Sequence, residues 1–286
     1  LFRSELHSGN GDVIEKSAIG FSHGKIDLVA DATVIRINRT AYDTVIDVSG
    51  KKIYPGLIAL NTTIGLTEIE AVRSTNDQSE TGILNPSVRA IVAYNTDSKV
   101  IPTIRSNGVL TAQIVPRSGW TTPAISGQSS VVVLDAWNWE DAAYKTDLGI
   151  HVNWPPMRIN RSKDPDEEEK QRKSMIRNLD QIRTIFSEAK AYASQKNHST
   201  TNLHLEAMRG LFNGTKKLYV HCNYVKEIVS AVGMCKEFGI QMVLVGGADS
   251  WMTTQLLKEQ NIPVILTSIH RLPSSVDEPV DFPYTL

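Results

Sequence analysis

The sequence predicts an α/β protein in which short apolar strands alternate with amphipathic helices, preceded by a small β-rich subdomain. Three observations predict it. The first fifty residues read as short strands separated by turn residues. After Pro55-Gly56 the segments "IYPGLIAL", "VLTAQIVP", "SSVVVLDA", "KKLYVHC", "IQMVLVGG" and "IPVILTSI" recur as compact apolar runs. Between the later runs lie stretches with apolar residues at helical spacing, the arrangement that parallel neighbours need for their crossovers.

Taken in order, "SAIGF" and "KIDLVA" flank "SHG", whose Gly24 suits a tight hairpin turn. The β-rich part is expected over residues 1–53 and the alternating part over 54–286, with Tyr54 to Leu60 as its first strand. From about Asp164 to Gln195 a charged stretch carries Met175, Ile176, Leu179, Ile182, Ile185 and Phe186 on one stripe. Its charge run is read as a solvated helix face. Lys216 to Cys222 reads as a strand, "VKEIVSAVGMCKEFG" as a helix ending at Gly239, and Met242 to Val245 as the next strand. "SWMTTQLLKEQN" is the following helix, before a strand from Val264 to Ile269. Units this short and regular suit a barrel or a doubly wound sheet.

Composition narrows the function classes. The chain has 286 residues, 41% hydrophobic and 21% charged, within the globular range. Thirty basic residues against thirty-one acidic ones leave a net charge of −1, so no electrostatic footprint points to nucleic acid or an anionic membrane. A small-molecule substrate is the favoured partner. No apolar run approaches the roughly 20 residues that span a bilayer. The first residues lack a signal-peptide pattern, which leaves cytoplasm and periplasm both open. Cys222 and Cys235 do not suggest a disulfide framework, and the sequons at Asn38, Asn61 and Asn213 are read as chance.

One stretch carries chemistry. In "VIDVSGKKIYPGLIALNTTIG", Ile46, Asp47, Gly50, Pro55, Gly56, Leu57, Ile58 and Gly65 fall in fixed order before and after a buried strand. The stretch resembles the amidohydrolase superfamily, closest to its bacterial imidazolonepropionase-like branch. That resemblance implies a (β/α)8 TIM-type barrel with a small β-sandwich subdomain at the N-terminus, the chain supplying strands one to seven and the eighth lying outside it. It implies hydrolysis of non-peptide carbon–nitrogen bonds in a cyclic amide or imidazolone-like substrate. It also locates the metal positions, and there the chain departs from the pattern. Asn61 and Thr63 occupy the His-x-His positions, Ala59 stands for an aspartate, and Gly246 replaces the strand-six histidine. His221 alone matches.

Catalytic zinc needs about three nitrogen, sulfur or carboxylate ligands and an open position for water. No cofactor is therefore expected, the alternative being a single weakly bound divalent metal such as zinc. The candidate catalytic residues are His221 and Asp249. His221 is either an acid–base or ligand-binding group or a hydrogen-bonded remnant. Asp249 is either a carboxylate at the barrel mouth or the N-cap of a helix starting near Trp251. Candidate substrate-binding residues are Asn61 and Thr63, expected to point with His221 into one cavity, together with Asn223 and His270. Asn223 could equally cap the helix beginning near Tyr224. Trp137 and Trp139 could form a lid or simply pack. His7, His23, His151, His198 and His204 form no recognisable ligand spacing, and His198 and His204 read as surface residues of a polar linker. Two functions follow: a hydrolase with a lost or altered metal site, or an inactive relative serving as a binding or assembly subunit. The second implies a homo-oligomer or pairing with an active amidohydrolase.

Overall fold

The computed structural model describes residues 1–36, 38–118, 124–160, 164–195 and 198–267. The chain divides into two compact units, Leu1–Leu57 and Ile58–Leu286.

The first unit is built on one four-stranded sheet, not the expected sandwich. Its strands are β1 (Phe2–His7), β2 (Val13–Ser22), β3 (Lys25–Asp31) and β4 (Lys52–Ile53), in the order β3-β2-β1-β4. β2 and β3 form the hairpin read from "SHG": His23 and Gly24 both adopt positive φ, 52° and 72°. Two successive left-handed residues match the strands' twist, and only the second lacks the steric cost.

The second unit carries β5 (Leu57–Thr62), α1 (Val100–Ser106), β6 (Val109–Ile114), β7 (Ala124–Val133), α2 (Trp139–Ala142), β8 (Ala143–Asn153), α3 (Pro165–Ser194), α4 (Leu203–Phe212), β9 (Lys217–Cys222), α5 (Val225–Phe238), β10 (Met242–Gly246), α6 (Thr254–Glu259) and β11 (Val264–Leu266). Its strands form one seven-stranded sheet in unbroken order from β5 to β11. A doubly wound sheet would reverse its order at a switch point; this one does not, so the winding is that of a barrel.

Three expectations need correction. The strand after Pro55-Gly56 starts at Leu57 and ends at Thr62, later than expected. The run is not parallel throughout: β6–β7 and β7–β8 pair antiparallel, whereas β8–β9, β9–β10 and β10–β11 pair parallel. The physical reason is connection length. Residues 115–123 and 134–142 are shorter than the roughly dozen residues a parallel crossover requires, while α3 with α4, α5 and α6 supply that length further on. Finally, β8 was hidden behind "WNWEDAAYK". Trp139 opens the short α2, its ring packing at the edge of a core cluster, and Trp137 is exposed.

The period of two along the strands separates the sheet's faces. Ile150, Val152, Leu218, Val220, Met242 and Leu244 bury one face against Ile182 and Phe186 of α3, Met208 and Leu211 of α4, and Ile228 and Ala231 of α5. A second cluster joins Ala112 and Ile114 of β6 and Val132 of β7 to Ile91, Tyr94 and Ile101. The α3 stripe is real but begins later than its sequence pattern, since Ile176 is exposed. α5 ends as read, with Gly239 left-handed at φ 73°. The residues between the apolar ones, Tyr219, Val243 and Val245, line the opposite face.

Candidate functional site

The alternation that buries Ile150 and Val152 turns His151 to the other face. In the parallel register His151 pairs with Tyr219, and Asn153 with His221. The His151 ring stacks on Tyr219 with centroids 4.5 Å apart and planes 8° apart. Its Nδ1 lies 2.9 Å from Nε2 of His221. Tyr219 lies near Gln113 of β6, whose Nε2 donates to Ser129 Oγ of β7 at 3.2 Å. Gln113 Oε1 accepts the Asn61 backbone N–H at 3.3 Å. Arg117, just beyond β6, closes the line: Nη1 donates to Asn61 Oδ1 at 3.1 Å and Nη2 to the Asn61 carbonyl at 2.8 Å. Ser118 Oγ accepts from Asn153 Nδ2. Polar side chains thus line this face of the sheet from β5 to β9.

Asn61 joins this line through its backbone as much as its side chain. Its φ is +54°, in the left-handed region that asparagine tolerates better than most residues. That twist interrupts the alternation expected to give residues 61 and 63 one face. Thr63 lies past the end of β5, its carbonyl accepting the Leu66 N–H at 2.9 Å, and its hydroxyl takes no part in the polar line.

The electrostatics follow from burial. Desolvation, then the charge of Arg117, pulls the His221 pKa down to about 3. Desolvation pulls His151 well below the usual imidazole range, with lesser pushes from His221 and Arg117. Both rings are neutral at physiological pH. Burial also lowers the pKa of Arg117, and a guanidinium stays charged in proteins. Among the described residues no carboxylate forms an ion pair with it.

The histidine pair has a preferred tautomer. His151 is fully buried, and its Nε2 has no hydrogen-bond partner. If His221 donated to His151, that orphan atom would be a buried N–H; if His151 donates, it is a bare acceptor. Orphaned N–H groups are the costlier kind. The favoured arrangement is therefore His151 Nδ1–H donating to His221 Nε2, which leaves His221 with an Nδ1–H of its own to offer.

The other sequence candidates sit close by with different tasks. Asp249 Oδ2 accepts the Val225 N–H at 3.2 Å, at the start of α5 and not of the turn that follows Asp249 itself. Asn223 does not cap α5 with its side chain; that end is satisfied by buried Glu227, which accepts from the backbone of Asn223, Tyr224 and Met157. The Asn223 side chain lies instead against Gly246. A Cβ on Gly246 would meet Asn223 Oδ1 at 2.6 Å and the Cys222 carbonyl at 2.9 Å, and Gly246 has φ +101°. His270 lies outside the described residues. His198 and His204 are not both loose surface groups: His198 stacks on Tyr192 with centroids 3.6 Å apart and meets Arg209 Nη2 at 3.0 Å, and His204 belongs to α4. Cys222 and Cys235 are free and buried.

The zinc centre that the superfamily resemblance implies does not fit these side chains. Asn61 Oδ1 holds a guanidinium, so a fixed positive charge lies where a dication would sit. One nitrogen of His221 is engaged by His151, and the strand-six position is backbone against Asn223. Among the described residues no three His, Cys, Asp or Glu side chains converge as a metal cage.

Sequence reasoning missed His151, Tyr219, Gln113 and Arg117. A signal for His151 was present in "DLGIHVN", where Leu148, Ile150 and Val152 alternate with Gly149, His151 and Asn153. Nothing local marked Arg117.

No family model and no curated protein matches the chain. A solved structure does: an amidohydrolase from Thermotoga maritima MSB8, 21% identical, with a TM-score of 0.79 over 96% of this chain and 71% of that one. At that identity the likeness is one of fold, and it extends over both of the units described above.

Proposed function

We propose that this chain is an amidohydrolase-superfamily member that takes a small substrate with a non-peptide carbon–nitrogen bond, of cyclic amide or imidazolone type, at an altered site using no binuclear metal. The observation that carries this reading is the Arg117–Asn61 clamp beside the His151–His221 pair, on a fold shared with an amidohydrolase. Arg117 and the His221 Nδ1–H are hydrogen-bond donors, suited to an amide carbonyl and to the negative charge that grows on its oxygen as water attacks. Activation of the water is the weak part. An imidazole with a pKa near 3 has little driving force to take water's proton, so turnover should be slow beside a metal-dependent relative. His221→Gln and Arg117→Gln, assayed on a panel of cyclic amides and imidazolones, test this: both should lower kcat/KM by about a hundredfold or more. Turnover equal to wild type in both variants, or none by wild type across the panel, would sink it.

A second reading, a binding or assembly subunit, is favoured by one observation: the two imidazoles are bonded to each other and the His221 pKa is pulled down to about 3, leaving only a weak base. Ligand binding without turnover, or co-purification with an active amidohydrolase, would select it.

A further inference from the structure

Three Asn-Gly pairs occur in the chain: Asn10-Gly11, Asn107-Gly108 and Asn213-Gly214. Glycine is the residue whose backbone nitrogen most easily reaches the side-chain carbonyl of an asparagine before it, because no Cβ shields that nitrogen and the backbone turns freely. The folded structure sets the three pairs in unequal surroundings.

Asn107 and Asn213 end helices. They are the C-caps of α1 and α4, with ψ of 10° and 3°. A ψ near 0° holds the nitrogen of the following glycine beside the asparagine's own nitrogen, turned away from Cγ. At Gly108 that nitrogen is also committed, donating to the Arg105 carbonyl at 2.9 Å. Behind Asn213 the chain is tied to the last turn of α4 by the Lys216 N–H, which donates to the Gly210 carbonyl at 2.9 Å.

Asn10 belongs to no helix. It lies in the exposed bend between β1 and β2, where Gly11 has φ +103° and open space at the place of a Cβ. Its amide is held as a reacting amide needs to be. Oδ1 accepts the Asp12 backbone N–H at 3.0 Å and the Ser8 hydroxyl, two donors placed to stabilise negative charge growing on that oxygen. Nδ2 donates to Asp12 Oδ2 at 3.0 Å, so a carboxylate stands beside the nitrogen that would leave and can pass it a proton. Asn213 shares the first arrangement, since the Thr215 N–H and hydroxyl both donate to its Oδ1. Among the described residues no carboxylate bonds to its Nδ2.

We propose that Asn10 is a site of self-catalysed deamidation, assisted by Ser8 and Asp12. The Gly11 nitrogen attacks Cγ of Asn10, the new C–N bond closes a five-membered imide, the Cγ–Nδ2 bond breaks, and ammonia leaves with the proton that the Gly11 nitrogen has lost. Water then opens the imide at either carbonyl, giving aspartate or isoaspartate. Either product sets a second carboxylate beside Asp12. Isoaspartate also lengthens the main chain by a methylene, inside a turn that the Ser8 N–H closes onto the Asp12 carbonyl at 3.1 Å. The proposal is independent of the chemistry on the seven-stranded sheet.

The test ages the whole folded chain in heavy-oxygen water at mildly alkaline pH, then digests it in ordinary water and weighs each Asn-Gly peptide by mass spectrometry. Heavy oxygen in a peptide marks conversion before digestion, and methylation by an isoaspartyl methyltransferase identifies the isoaspartyl product. Asn10 should convert at least about tenfold faster than Asn107 and Asn213. In urea, where none of the three is held by the fold, the rates should converge to within about threefold. Ser8→Ala and Asp12→Asn, each shown to be folded by circular dichroism, should slow Asn10 at least about threefold; slowing in either one supports the assistance assigned to that residue. Native conversion at Asn10 no faster than at the other pairs, a preference undiminished in urea, or an unchanged rate in both variants would each overturn the proposal.

Discussion

The two faces of the seven-stranded sheet are made from the same strands and have opposite chemistry. Along β8 and β9, Ile150, Val152, Leu218 and Val220 are buried in an apolar core under three helices. Their sequence neighbours His151, Tyr219 and His221 carry stacking and hydrogen bonds. One face is held by burial, which is non-directional and tolerates repacking. The other is held by a chain of paired polar groups, in which each member matters because its partner would be left unsatisfied. A strand that serves both cannot slip by one residue without exchanging core for site. That coupling keeps the site's register fixed.

The largest expected effect lies on the apolar face. Phe186 of α3 is fully buried and packs with Phe238 at a centroid distance of 6.1 Å. Phe186→Ala should cost about 3–5 kcal/mol, read as a lower urea midpoint at unchanged slope. The polar face should hold its geometry until the whole chain unfolds, so near-ultraviolet dichroism and helix content should be lost together. Loss of the near-ultraviolet signal well before the helices would break the comparison, by showing that the faces unfold separately.

The same division explains what the sequence made legible. β9, α5, β10 and β11 could be read because each has a single apolar run or stripe bounded by a turn residue such as Gly239. β8 could not, because the stretch that leads into it and forms its first residues, "WNWEDAAYK", mixes aromatic and charged side chains without a period. The antiparallel pairs followed from connection lengths that only strand ends reveal. Among site residues, Asn61 and His221 were legible through the amidohydrolase-like pattern. Arg117 and His151 were not, since they meet those residues across 56 and 70 positions of sequence, and separation of that kind leaves no periodic trace. Asp249 was legible as a helix cap, but for a helix other than its own.

A middle-sized effect sharpens the comparison by pH. Both imidazoles have folded-state pKa values below the ordinary 6.5, His221 at about 3. Below pH 6.5 the unfolded chain therefore binds protons that the folded chain refuses, and stability falls as pH is lowered. The contribution is fully present above about pH 6.5 and is lost toward pH 3, with a slope of up to about 1.4 kcal/mol per pH unit for each imidazole. The depressed carboxylates of Asp31 and Asp47 titrate lower and are exposed, so they contribute less in this window. His221→Gln should flatten the dependence between pH 6.5 and 4.5. A variant as steep as wild type would place the acid sensitivity outside the polar face.

The smallest expected effect is a null result, and it concerns metal. Restoring histidine at Asn61 and Thr63 rebuilds the His-x-His pattern in sequence, and with His221 the count reaches three imidazoles. Three obstacles remain. Replacing Asn61 removes the acceptor that holds Arg117, which frees a guanidinium beside the new ligands and disfavours a dication by direct repulsion. The left-handed φ of +54° at position 61 suits histidine less well than a regular strand would, and it breaks the shared face on which residues 61 and 63 would have to converge. At strand six, Gly246 offers no side chain, and even a Cβ there would strike Asn223 Oδ1 and the Cys222 carbonyl. The double variant Asn61→His with Thr63→His should therefore hold well below one equivalent of zinc after growth with zinc and desalting, as measured by elemental analysis. Adding Arg117→Gln should raise the zinc content more than adding Gly246→His does, because repulsion is removed in the first case while a steric conflict is introduced in the second. Near-stoichiometric, chelator-removable zinc in the double variant alone would mean that the polar face yields to a metal more readily than its hydrogen bonds imply.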